Sequence, residues 1–172
     1  SHKIFYVFFE VYETNGSSMR PNFEDKEKFF VYPNYYKDKE VKYGDVVILK
    51  FKNEEGVFVK RIVGLPNDKV EIRNGILLVN GKEKTSKNEL ELNIFIENIT
   101  PEISNKILNA EKNDSEFDSK SVTVSKGHYF VLGDNRQNSG DSRDYGTISK
   151  NQILHKFISR KNFIYNFSFY FF

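Results

Sequence analysis

Val46-Val47-Ile48-Leu49-Lys50-Phe51 and Val57-Phe58-Val59-Lys60-Arg61-Ile62-Val63, joined by Asn53-Glu54-Glu55-Gly56, decide the fold. Both runs are short, apolar and rich in β-branched and aromatic residues, and turn residues bound them, so they read as two strands of an antiparallel hairpin. Side chains alternate along a strand, which puts Phe58, Lys60 and Ile62 on one face. A lysine at a strand end is usually solvated. Between Phe and Ile on one face it either snorkels or is buried. To be half neutral near pH 7 its pKa must fall by about 3 from roughly 10.4, at a cost of roughly 4 kcal/mol in lost ammonium solvation.

The same texture extends outward. Lys69 to Arg73 and Ile76 to Val79 read as strands around Asn74-Gly75, a two-residue loop that favours a hairpin because both positions tolerate positive φ. Asn80-Gly81 repeats the signal. Ile4 to Tyr12 and Lys28 to Tyr32 precede the central pair, with a polar connection from Pro33 to Tyr43. Ser121 to Val124 and His128 to Leu132 follow it, and Gly146 to Leu154 reads as a turn with one helical turn. In the tail, Tyr165, Phe167, Phe169 and Phe171 share a strand face, packed on a core or dipping into a bilayer interface.

The segment 82–118 differs, with 5 Lys against 9 Asp or Glu. Pro101 sits at a helix start, and Ile103, Ile107 and Leu108 have helical spacing. The expected organisation is mainly β, a catalytic core of residues 1–81 and 119–172 carrying an inserted subdomain, 82–118, with one short helix and an acidic loop from Glu111 to Lys120.

At 172 residues, 38% of them hydrophobic, with 17 Phe and 10 Tyr, the chain can bury a sizeable core. A net charge of +2 gives no argument for a nucleic-acid partner. The absence of Cys removes disulfides, thiol catalysis and Cys-type zinc sites. No run reaches the roughly 18 apolar residues of a membrane helix. The chain begins Ser1-His2 without Met, which reads as a trimmed N-terminus with a tag remnant.

Gly16-Ser17-Ser18-Met19-Arg20-Pro21 offers a serine in a loop. Most serines are surface hydroxyls, and a serine is a weak nucleophile without a base. Here Asn15 and Gly16 permit a tight backbone, Met19 gives an apolar wall and Pro21 fixes the exit. Such a loop can expose Ser18 Oγ and aim the Ser18 N–H at a developing oxyanion. With Lys60 as base, the pair reads as a serine/lysine hydrolase.

Four ordered stretches resemble the type I signal peptidases, the membrane-bound Ser/Lys endopeptidases that release leader peptides from exported proteins. Ser18-Met19-x-Pro21 looks like the nucleophile box and Gly44-Asp45-Val46-Val47 the strand box. Lys60-Arg61-Ile62-Val63-Gly64-x-Pro66-x-Asp68 looks like the base box. Gly133-Asp134-Asn135-x-x-x-Ser139-x-Asp141-Ser142-Arg143 looks like the last box. The resemblance covers nearly all of residues 10–160.

It implies a signal-peptidase-like β-barrel or sandwich core with a small α/β or irregular insertion. Ser18 is then the nucleophile, its own backbone N–H the oxyanion donor, and Lys60 the general base. Ser139 matches a hydroxyl that orients the lysine. Asp141 and Arg143 match an ion pair behind the site, and Asp134 a second supporting carboxylate. Tyr12, Thr14, Met19, Phe23, Phe58 and Val59 would line shallow pockets for small residues at the −3 and −1 positions of the substrate. The implied partners are preprotein signal peptides and a membrane lipid surface, with no metal or cofactor. The implied location is the bacterial cytoplasmic membrane, catalytic domain on the extracytoplasmic side, with the N-terminal anchor absent from this chain.

Three positions depart from the family pattern: Asn22 where Thr is common after the proline, Asn67 where Gly is common before Asp68, and Gly16 where some members carry a serine that helps hold the oxyanion. A backbone N–H would act at Gly16 instead. Rival readings are weaker. A self-cleaving Ser/Lys repressor needs an Ala-Gly bond upstream of the serine, yet Ala110 is the sole alanine. A catalytically silent β module would not need both Ser18 and Lys60. His2, His128 and His155 lie outside any nucleophile motif, and His128 reads as a strand residue.

Overall fold

The computed structural model describes residues 9–84 and 119–160. Eleven strands in this range are β1 (Glu10–Glu13), β2 (Lys28–Pro33), β3 (Val46–Leu49), β4 (Phe58–Gly64), β5 (Lys69–Arg73), β6 (Ile76–Val79), β7 (Lys82–Glu83), β8 (Ser119–Thr123), β9 (His128–Leu132), β10 (Ile148–Ser149) and β11 (Ile153–Arg160). One short helix, α1 (Ser142–Tyr145), lies between β9 and β10. The architecture is mainly β and every strand pair is antiparallel.

A seven-stranded sheet runs β1-β2-β11-β3-β4-β9-β10, and a four-stranded sheet runs β7-β6-β5-β8. The central hairpin forms with Val46 opposite Arg61 and Val47 opposite Lys60. Asn74 and Gly75 both take positive φ, 50° and 75°, and close β5 on β6 as the sequence predicts.

Strand alternation sorts the core. Val47, Leu49 and Ile62 join Tyr36, Phe51, Val131 and Ile148 on one side of the large sheet. Val46 and Ile48 face the other way, with Met19, Phe23, Phe29 and Val31. A third cluster ties the small sheet to β4 and β9, with Val70, Ile72, Leu77 and Val79 packed against Val63, Phe130 and Leu132. Gly64 makes that junction possible. A Cβ there would lie 2.6 Å from Val70 Cγ2 and 2.9 Å from Phe130 Cβ.

Gly146 to Leu154 keeps its single helical turn and adds strand pairing that the sequence did not suggest. It holds β10, a 3₁₀ turn at Lys150–Gln152 and the first residues of β11. β11 lies between β2 and β3 and pairs with both. Lys82 and Glu83, placed in the insertion by composition, pair with β6. The helix read around 103–110, most of the acidic loop, the tail from Phe163 and the first half of the Ile4–Tyr12 strand lie outside the described residues.

Candidate active site

Ser18 sits in the loop between β1 and β2, and Lys60 sits on β4. Lys60 Nζ donates to Ser18 Oγ at 2.9 Å. Lys60 is only 2% exposed, with the Phe58 ring centroid 5.9 Å from Nζ. Burial lowers its pKa from 10.5 to about 8, against opposing pulls from Asp141 and Asp134 and with help from the Arg143 charge. At neutral pH the amine is mostly protonated but close to release.

Asp134 lies on the opposite face of β4 from Lys60 and takes a fork from the next residue. Arg61 Nε donates to Oδ1 at 2.8 Å and Nη2 to Oδ2 at 2.7 Å, while Nη1 donates to Gly44 O at 2.9 Å. Asn22 Nδ2 donates to the same carboxylate at 2.8 Å. Burial alone would raise the Asp134 pKa. The Arg61 charge and hydrogen bonds, the Asn22 amide and the Arg136 charge outweigh it and hold the carboxyl below its usual range.

Asp141 is fully buried. Its side chain caps α1 through Arg143 N, accepts from Gly133 N at 3.0 Å, and takes two bonds from the Arg143 guanidinium at 2.9 Å each. Arg143 also donates to the carbonyls of Arg136 and Ser139, so the ion pair fastens the last box into one block.

That block backs the loop that carries Ser18. Asn135 N donates to Ser18 O at 3.0 Å, and Asn135 Nδ2 donates to Ser17 O at 3.0 Å. Gly133 sits so close that a Cβ would lie 2.1 Å from Ser139 Oγ and 2.5 Å from Ser18 O. Its need for glycine is therefore steric. Ser139 is brought over Gly133, but its buried Oγ makes no hydrogen bond among the described residues, so the contact with Lys60 that the resemblance implies is not formed.

The sequence matches a family model. Residues 2–164 fit the family described as "Signal peptidase, peptidase S26". The chain belongs to the signal peptidase family. Signal peptidase I of Bacillus amyloliquefaciens is 35% identical over 154 residues, spanning 87% of this chain and 72% of that protein. Signal peptidase IB of Staphylococcus aureus is 36% identical over 161 residues, spanning 91% and 82%. A solved signal peptidase I from Enterococcus faecalis is 25% identical and covers 67% of this chain and 94% of that one, with a TM-score of 0.46. As a signal peptidase the chain is a serine endopeptidase, a peptide-bond hydrolase that removes signal peptides.

The six residues that the family resemblance assigns to pockets divide in the structure. Tyr12, Met19, Phe23 and Val59 pack in one cluster, while Phe58 packs in another against Phe51. Met19 and Phe23 are each 3% exposed and belong to the core. Thr14 is spent on its own loop: its hydroxyl donates to Glu24 O and accepts from Glu27 N at 2.9 Å. Tyr12 OH meets His155 Nε2 at 3.0 Å.

Gly16 N donates to Asp25 Oδ1 at 2.7 Å, so its N–H is already engaged and does not replace the serine that some signal peptidases carry there. Sequence reasoning gave no role to Arg61, Asn22 or Asn135. A signal for Arg61 was available: alternation buries it on the face opposite Lys60, and a buried arginine calls for an acid such as Asp134. Asn22 was counted only as a departure. Its amide has the donor that Asp134 takes up.

Among the described residues no cluster of His, Asp or Glu could hold a metal ion, and no helix is long and apolar enough to cross a membrane.

Proposed function

We propose that Ser18 and Lys60 form the catalytic dyad of this signal peptidase. Neutral Lys60 takes the Ser18 proton as Oγ attacks the scissile carbonyl carbon. The Ser18 N–H stabilises the oxyanion of the tetrahedral intermediate. As the C–N bond breaks, Lys60 gives its proton to the leaving amine, and the leader stays on Ser18 as an ester. Lys60 then deprotonates a water that attacks the ester, and the proton returns to Ser18 Oγ.

The observation that carries this reading is the 2.9 Å approach of Nζ to Oγ by a lysine only 2% exposed. With a pKa of about 8, roughly one lysine in ten is neutral at pH 7. Asp134, Asp141 and Arg143 act as supports, and the buried, unpartnered Ser139 hydroxyl is the group available to orient the amine.

The apolar side of the nucleophile loop, where Tyr12, Met19, Phe23 and Val59 pack together, supports shallow pockets that select small residues at −3 and −1. The enzyme works on preproteins at the outer face of the bacterial cytoplasmic membrane. Its catalytic core is 1–81 with 119–172 and also takes in the β7 pair Lys82–Glu83, with the insertion following that strand.

The test is cleavage of a leader-bearing preprotein in lipid or detergent, with the product N-terminus sequenced. Ser18→Ala and Lys60→Ala are each expected to lose activity by at least about 10³-fold while remaining folded. The wild-type cut should follow a small-x-small motif. Wild-type activity in Lys60→Ala would sink the dyad.

A further inference from the structure

The last box supplies more than support for an ion pair. Two consecutive carbonyls of the nucleophile loop point at one residue: Ser18 O accepts from Asn135 N and Ser17 O from Asn135 Nδ2, each at 3.0 Å. Ser17 O accepts a second bond, from Arg20 N at 3.1 Å. The Ser17–Ser18 peptide unit is planar and trans, so its C=O and its N–H point in opposite directions. Whatever fixes the Ser17 carbonyl therefore also fixes the Ser18 N–H, turned away from Asn135. Among the described residues that N–H meets no acceptor, while the neighbouring Gly16 N–H is taken by Asp25.

We infer that Asn135 is a positioning residue for the oxyanion donor: by holding the Ser17 carbonyl, its side chain aims the Ser18 N–H at the reacting centre. The inference rests on Ser18 being the nucleophile. Asn135 is itself held rigidly. It follows Asp134, which Arg61 and Asn22 clamp, and it opens a 3₁₀ turn in which Asn138 N donates to Asn135 O at 3.0 Å. With Gly16 carrying no side chain, no hydroxyl two residues upstream can compensate for a misaimed amide.

The experiment compares wild type, Asn135→Ala, Asn135→Asp and Ser18→Ala on one leader peptide. It reads kcat, KM, the pH profile, melting temperature and inhibition by a peptide aldehyde ending in alaninal. The aldehyde forms a hemiacetal with Ser18 whose oxygen occupies the oxyanion position. Losing a whole oxyanion donor costs about 10²- to 10³-fold in kcat, so misaiming one should cost roughly 10- to 100-fold. Both Asn135 variants are expected to show that loss with KM within about threefold and the aldehyde weakened by the same factor, with the pH midpoint unmoved in Asn135→Ala and raised in Asn135→Asp, whose added carboxylate favours the Lys60 ammonium. Asn135→Asp keeps the volume and lacks the donor, so it separates aim from packing.

Wild-type kcat in both variants, with Ser18→Ala inactive, overturns the inference and leaves the dyad standing. A loss confined to KM, a moved pH midpoint with the aldehyde unaffected, or unfolding of both variants also overturns it, because each assigns the residue to the fold or to the lysine. Wild-type activity in Ser18→Ala overturns the dyad, and the inference with it.

Discussion

The two faces of β4 carry adjacent buried cations with opposite fates. Lys60 and Arg61 are each 2% exposed. Arg61 meets a carboxylate at 2.7 Å, a carbonyl at 2.9 Å and keeps its charge, as a guanidinium must. Lys60 meets a hydroxyl, and the carboxylates that favour its ammonium act from farther off, so burial wins and the pKa falls to about 8. One strand thus builds a clamp on one side and, on the other, a lysine close to losing its proton. The difference lies in the partner supplied across the sheet.

Breaking the clamp should have the largest effect. Asp134→Ala leaves a guanidinium buried without its carboxylate, and urea unfolding is expected to register a loss of roughly 3–5 kcal/mol. The same variant removes a negative charge that favours the Lys60 ammonium, so the pH midpoint of its remaining activity should move below the wild-type value.

The base itself gives the next effect. The unfolded chain keeps the lysine proton up to about 10.5, while the folded chain releases it near 8. Between those values the unfolded state binds more proton, so the stability of the fold rises as pH climbs through that window. Denaturant unfolding should show the rise in wild type and lose it in Lys60→Met. At pH 7 that variant should be more stable than wild type, by up to roughly 3 kcal/mol. Cleavage by wild type should fall about tenfold per pH unit below 8. A flat profile between pH 6 and 8 would show that the lysine does not need to lose its proton.

Ser139→Ala should be the mildest. Its hydroxyl is buried without a partner among the described residues, so stability should change by less than about 1 kcal/mol. The cleavage rate should fall several-fold, far less than for Lys60→Ala. Equal losses in the two variants would make Ser139 as necessary as the base.

The β3–β4 hairpin was legible because short apolar runs between turn residues leave few alternatives, and β5–β6 because Asn74-Gly75 dictates its turn. Ser18, Lys60 and the acids came from motif order. Nothing in residues 16–21 or 57–66 taken alone brings the two stretches within 2.9 Å. β11 was not legible. Ile153-Leu154-His155-Lys156-Phe157-Ile158-Ser159-Arg160 does not alternate cleanly, because bulges on both of its borders shift the register and seven of its eight residues are half-buried. Asn22 and Asn135 escaped for another reason: an amide reveals its role only by what it touches.

The sheet order β1-β2-β11-β3-β4 also bears on how the enzyme comes into being. Ser18, the proposed nucleophile, hangs between β1 and β2, and Lys60, the proposed base, stands on β4. In the sheet the two halves join only through β11, whose Arg160 also reaches back to Asn22 O and, at 2.8 Å, to Glu27. A ribosome delivers β11 after every other strand described here. Until then Ser18 and Lys60 belong to two pieces of sheet that no strand pairing joins, so a chain that ends before β11 is expected to carry both members of the proposed dyad without assembling it.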